Sequence, residues 1–125
     1  MNIDIYWDVQ RQEALICSFA HDWTWHECRE AMQVVMYMQD GVDMDVRYIY
    51  DLTESTLTTR ACLNRMKKLL NLPIHPSPEQ IIIVDKAYRL NMLQTMLSPI
   101  INTMANVTFA TDIHEARKLL ATPQL

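Results

Sequence analysis

The sequence predicts an α/β fold, a mixed and mostly parallel five-stranded sheet with helices laid over it. Three observations carry that prediction. Gln80–Asp85 reads QIIIVD, a β-branched apolar run of the kind needed by a strand covered on both faces. From the second strand onward, strand patterns alternate with helix patterns, so right-handed crossovers give parallel pairing. A hairpin pattern precedes that alternation and makes the first strand the antiparallel exception.

The elements follow in order. Ile3, Ile5 and Trp7 alternate with Asp4, Tyr6 and Asp8, the period of a half-buried strand. The polar stretch VQRQE leads to Ala14–Ala20, where Leu15, Cys17 and Phe19 share a face. Without Gly or Asn, the loop between them is wider than a two-residue turn. Thr24 and Glu27 form a capping box for a first helix, whose stripe is Trp25, Cys28, Met32, Val35 and Met36. Gly41, the one glycine, is expected to end that helix in the left-handed conformation. Asp45–Asp51 is the next strand.

A second helix is predicted from about Thr58 to Leu70. Cys62, Leu63, Met66, Leu69 and Leu70 lie on one side of it, and Arg60, Asn64, Lys67 and Lys68 on the other. Pro73, Pro76 and Pro78 make the following stretch extended. After the central strand, Asp85 is expected to cap a third helix carrying Leu90, Leu93, Leu97, Ile100, Ile101 and Met104, kinked or broken at Pro99. Asn106–Ala110 is the last strand. Thr111 or Asp112 caps a final helix with Ile113, Ala116 and Leu120. The order is β-β-α-β-α-β-α-β-α.

Composition bounds the function. The 125 residues suit one domain, over 1–125, with a single core. No apolar run approaches the length of a membrane span, and the acidic N-terminus is unlike a signal peptide. Three cysteines without paired spacing suit buried thiols in a reducing compartment, so a cytoplasmic protein is expected. Residues 1–54 hold 11 acids and 3 bases, residues 55–125 hold 4 acids and 8 bases, and the net charge is −4. An acidic whole argues against nucleic acid as partner. A lone glycine excludes a Walker loop, a dinucleotide fingerprint and a nucleophile elbow.

The element order, with Trp23–Glu27, the strand end Tyr50-Asp51-Leu52, the run Ile81–Asp85 and the closing Thr111–Leu120, resembles the STAS domain family, also called SpoIIAA-like. These stretches also look like those of a bacterial branch of small stand-alone STAS-like proteins. The resemblance implies a binding module of the anti-sigma factor antagonist kind, whose partner is an anti-sigma factor or a kinase. In that family a serine or threonine at the start of the second helix is phosphorylated. The corresponding residues are Thr58 and Thr59, but the family's preceding aspartate and following glycine are replaced here. Relatives with the Sec14-like fold hold apolar ligands between sheet and helices.

Several clusters invite a sharper reading. His21, Asp22, Asp51, Asp85, Thr111 and Asp112 fall along the carboxyl edge of the sheet, where open α/β sheets bind ligands and carboxylates suit Mg²⁺. Each also stands where a turn leaves a strand or a helix starts, which is a cap position. The lysine that a receiver-like acid pocket needs is missing from Ala110–Asp112. His21, His26 and Cys28 do not share a helix face, so zinc is not expected. Pairing Cys17, Cys28 or Cys62 with His75 or His114 as a nucleophile is unsupported, because each cysteine lies on an apolar stripe. No catalytic residue, metal or cofactor is expected. Met92 and Met96 lie roughly 90–130° from the apolar stripe of the third helix and border solvent, a partner or a lipid pocket. The basic row Arg60, Lys67 and Lys68, with Arg65 and Asn64 beside it, adjoins the family's interaction segment.

The expected function is therefore regulatory protein–protein interaction without enzymatic activity, centred on Thr53 to Lys68. The alternative is a carrier or sensor of a small apolar ligand or lipid, with Met92 and Met96 at an entrance beneath the third helix.

Overall fold

The computed structural model describes residues 2–74, 78–104 and 106–121. Its elements are β1 (Ile3–Trp7), β2 (Ala14–Phe19), α1 (Trp25–Asp40), β3 (Arg47–Asp51), α2 (Thr59–Leu70), β4 (Gln80–Val84), α3 (Ala87–Ile101), β5 (Val107–Ala110) and α4 (Ile113–Ala121). β1 pairs antiparallel with β2, and β2, β3, β4 and β5 follow in parallel. The strands lie in chain order across the sheet. Order and pairing match the general STAS-like architecture read from the sequence.

A sheet wound in chain order with crossovers of one hand puts its connecting helices on one face. α1, α2 and α3 accordingly share a core with Leu15, Cys17, Phe19, Tyr48, Tyr50, Ile81 and Ile83. α4 covers the other face, where Ala116 and Leu120 pack on Ile16, Ile49, Ile82, Val84 and Ala110. β4 is buried along its whole length, as its unbroken apolar run requires. Phe19 lies 4.7 Å from Trp23 and 6.0 Å from Tyr50, ring centre to ring centre, an aromatic cluster at the heart of the larger core.

Local chemistry departs from expectation at four places. Gly41 is not left-handed: its φ is −81° and ψ is 0°. α1 ends in tight turns instead, with Gly41 N–H on the Met38 carbonyl and Val42 N–H on that of Gln39. The left-handed residues are His21 (φ 55°) and Asn106 (φ 65°). α3 runs unbroken through Pro99. Proline lacks the N–H that would bond the Thr95 carbonyl, and Ser98 Oγ donates to that oxygen at 2.9 Å in its place.

Asp8, expected on the solvent side, is 1% exposed. Arg117 of α4 grips it with Nε and Nη2 at 2.9 and 3.0 Å, and Gln10 N–H adds a third bond. Burial pushes the Asp8 carboxyl up, but these bonds outweigh it and leave the group below its ordinary value. Asp45 and Val46 precede β3 rather than belonging to it. His75 and Pro76 lie outside the described residues.

Candidate functional site

The carboxyl end of β3 opens the loop that delivers the chain to α2. Asp51 turns it, its Oδ1 accepting from Thr53 N–H at 3.0 Å and from the Thr53 hydroxyl at 2.7 Å. His21 then lies alongside in a short parallel bridge. Its N–H donates to Glu54 and its carbonyl accepts from Thr56. The left-handed twist at His21 is what brings the chain after β2 beside this loop. Trp23, wholly buried, donates its indole N–H to Ser55 Oγ at 3.1 Å.

The strongest fastening comes from α3. Arg89 sits buried one turn past Asp85 and takes both carboxylate oxygens with Nε and Nη2. Its remaining donors reach back to three loop carbonyls, Leu52 at 2.7 Å, Leu57 at 3.0 Å and Ser55 at 3.2 Å. One guanidinium thus gives donors to three carbonyls of the turn, of which that of Leu52 also accepts Ser55 N–H at 3.0 Å. The hydrogen bonds and charge of Asp85 raise the Arg89 pKa against the opposing effect of burial, so the guanidinium stays charged.

This corrects the expected role of Asp85. The N-cap of α3 is Lys86, and no side chain caps it. Asp85 accepts Lys86 N–H at 2.8 Å, but its main duty is to neutralise Arg89. A carboxylate wholly buried beside a guanidinium with five donors is an anchor of the loop.

Thr58 is the N-cap of α2, its hydroxyl accepting from Ala61 N–H at 3.1 Å, and Thr59 is the first residue of the helix. Arg60, Asn64 and Lys68 are exposed, and Arg65 and Lys67 are half-buried. The guanidinium of Arg65 lies 5.8 Å from the Trp23 ring centre, and the Lys68 ammonium 5.7 Å from that of Trp25. These two bases are therefore held against aromatic faces on the α1 side. Helical geometry turns Arg60 and Lys67 to the opposite shoulder, the one beside α3. There Tyr88, Met92 and Met96 recur at i, i+4 and i+8, with Met92 54% and Met96 48% exposed.

Thr111 and Asp112 of the carboxyl edge have local partners. Asp112 caps α4 through Glu115 N–H at 2.7 Å, and the Thr111 hydroxyl donates to Glu115. Among the described residues no three His, Cys, Asp or Glu side chains are grouped to hold a metal ion. Cys17, Cys28 and Cys62 are free and buried. Burial drives the Cys28 thiol to about 12 and that of Cys62 to about 11, which leaves them protonated and poorly nucleophilic at neutral pH.

Sequence reasoning missed Arg89, Arg117 and Gln39. Gln39 is buried at the end of the α1 stripe and accepts from the Tyr48 hydroxyl. Each had a signal. Arg89 stands four residues after Asp85, among the apolar positions of its helix, and Gln39 is four residues beyond Val35. No helix among the described residues is long and apolar enough to cross a membrane. No protein-family model matches the chain, and no curated protein matches its sequence.

Proposed function

We propose that the chain is one STAS-like domain over residues 1–125, acting in the bacterial cytoplasm as a non-enzymatic regulatory module. It binds another protein, in the manner of an anti-sigma factor antagonist, through the loop from Thr53 and the outer face of α2. The observation that carries this reading is the rigid mounting of a basic helix: Arg89 fastens the loop before it, and Trp23 and Trp25 back two of its bases. A preorganised surface loses little freedom on docking. Its charges steer an acidic partner toward it, an effect that salt suppresses. The Tyr88–Met92–Met96 row extends the same surface with apolar area.

Replacing Arg60, Lys67 and Lys68 together by Glu tests the reading. Arg60 is exposed and its change costs within about 0.5 kcal/mol, while Lys67 is half-buried and Lys68 faces Trp25. The melting temperature is therefore expected to fall modestly, and capture of the native partner to weaken at temperatures where the variant is still folded. A triple variant that keeps every wild-type partner rejects this surface.

Thr58 and Thr59 lack the flanking residues of the family's switch and are not expected to be strong kinase substrates. Intact mass of protein from its own host, without added phosphate, is the expected result. Native mass spectra of the same sample distinguish the carrier alternative, which requires retained lipid.

A further inference from the structure

At the end of the sheet opposite the candidate site, where the parallel strands begin, lies an open apolar groove. Two adjoining hollows of about 390 and 500 Å³ meet there and share Trp7 and Val42 as walls. Val9 and Tyr37 on its rim are 87% and 80% exposed, and Met44 is exposed beside them. Large apolar groups gathered in this way mark a surface that something covers.

The neighbouring backbone is open as well. β1 is an edge strand paired with β2 alone. Asp8 N–H bonds the Ala14 carbonyl, and Ala20 N–H bonds that of Asn2. The alternation of an antiparallel ladder then turns the backbone groups of Ile3, Ile5 and Trp7 to the free side. The strand reads IDIYW, without the lysine or proline that commonly guards an edge.

Charge identifies the occupant. Asp40 lines the groove, Asp43 and Asp45 follow it toward β3, and all three are exposed. Among the described residues none of them is in an ion pair. The bases at this end are engaged elsewhere: Arg11 with Glu13, Arg47 with Glu79 and Arg117 with Asp8. A second copy laid groove to groove would set these aspartates against one another. We propose that the groove docks an extended basic segment of a second protein. Its lysines or arginines meet Asp40, Asp43 and Asp45, an apolar side chain seats against Trp7 and Val42, and its backbone adds a strand beside β1.

This surface is opposite in charge to the α2 face and lies at the other end of the sheet, so the two stand or fall separately. The test is titration of the full ¹⁵N-labelled chain with a short synthetic peptide alternating lysine and valine. Amide shifts are expected within residues 3–9 and 37–45, fading at high salt. Changing Asp40, Asp43 and Asp45 to Asn should weaken binding about tenfold, as three rim pairs allow. Val9→Ser with Met44→Ser, both at exposed positions, should weaken it without altering the melting temperature. A peptide alternating lysine with serine should leave the Trp7 indole signal in place. Absence of shifts in these segments, equal binding of a glutamate–valine peptide, or unchanged affinity in the Asn variant overturns the proposal. Dimerisation of the free protein through these same amides overturns it too, making a second copy the occupant.

Discussion

Asp85 and Arg89 show how much one buried pair can decide. Removing one partner leaves the other charged, desolvated and unpaired, which costs about 3–5 kcal/mol, against about 1 kcal/mol for a lost helix cap. Asp85→Ala should therefore unfold at markedly lower denaturant, and a loss near 1 kcal/mol would return Asp85 to the role of a cap. Asp8 makes a second claim at this scale. Its native pKa is depressed below the ordinary 3.8, so its contribution is complete well above that value and fades as the pH falls toward the native one. Asp8→Asn should cost about 1–3 kcal/mol at neutral pH, from lost charged hydrogen bonds to Arg117. Denaturant curves should show the gap to wild type closing in acid. The i, i+4 spacing could have paired Arg89 with Asp85, but neither its loop carbonyls nor the partner of Arg117 could be read from sequence, because the fold brings them near. Arg117 lies 109 positions from Asp8. Periodicity reports which face a residue occupies and does not report what waits there.

At the scale of elements the sequence was far more legible. The Thr24–Glu27 capping box, the stripe of α2 and the apolar run of β4 are local patterns, and each became the element it predicted. Local chemistry misled at Gly41, where a helix end can close by αR turns as well as by a left-handed residue. An added Cβ there meets only the Met38 carbonyl oxygen at 3.5 Å, an ordinary contact. Gly41→Ala should thus stabilise the protein by about 0.4–1 kcal/mol through the entropy of the unfolded chain. A lower melting temperature would show that the glycine is needed after all. The candidate site was half legible. Thr58, the α2 bases and the loop were marked by their positions, while the clamp that fixes them was not.

For the whole molecule, the two faces of the sheet are unequally covered. Three helices protect one face, and on the other the single helix α4 closes the core over Ile16, Ile49, Ile82 and Val84. Leu120, 2% exposed, is its largest buried side chain, and its carbonyl receives bonds from Arg11 and Arg47. Leu120→Ala should cost about 2–5 kcal/mol, read from urea midpoints, with the upper part of that range expected if α4 frays. The chain order of the strands also bears on how the protein is made. Each strand pairs with its predecessor, so the sheet can grow from one edge as the polypeptide leaves the ribosome. The Arg89 clamp sets a checkpoint in that sequence. The carbonyls of Leu52, Ser55 and Leu57 lie 32 to 37 positions before Arg89, whose guanidinium binds all three. A nascent chain that has finished α2 therefore still has an unfastened loop between β3 and α2, and the guanidinium that fastens it arrives only as α3 begins to form.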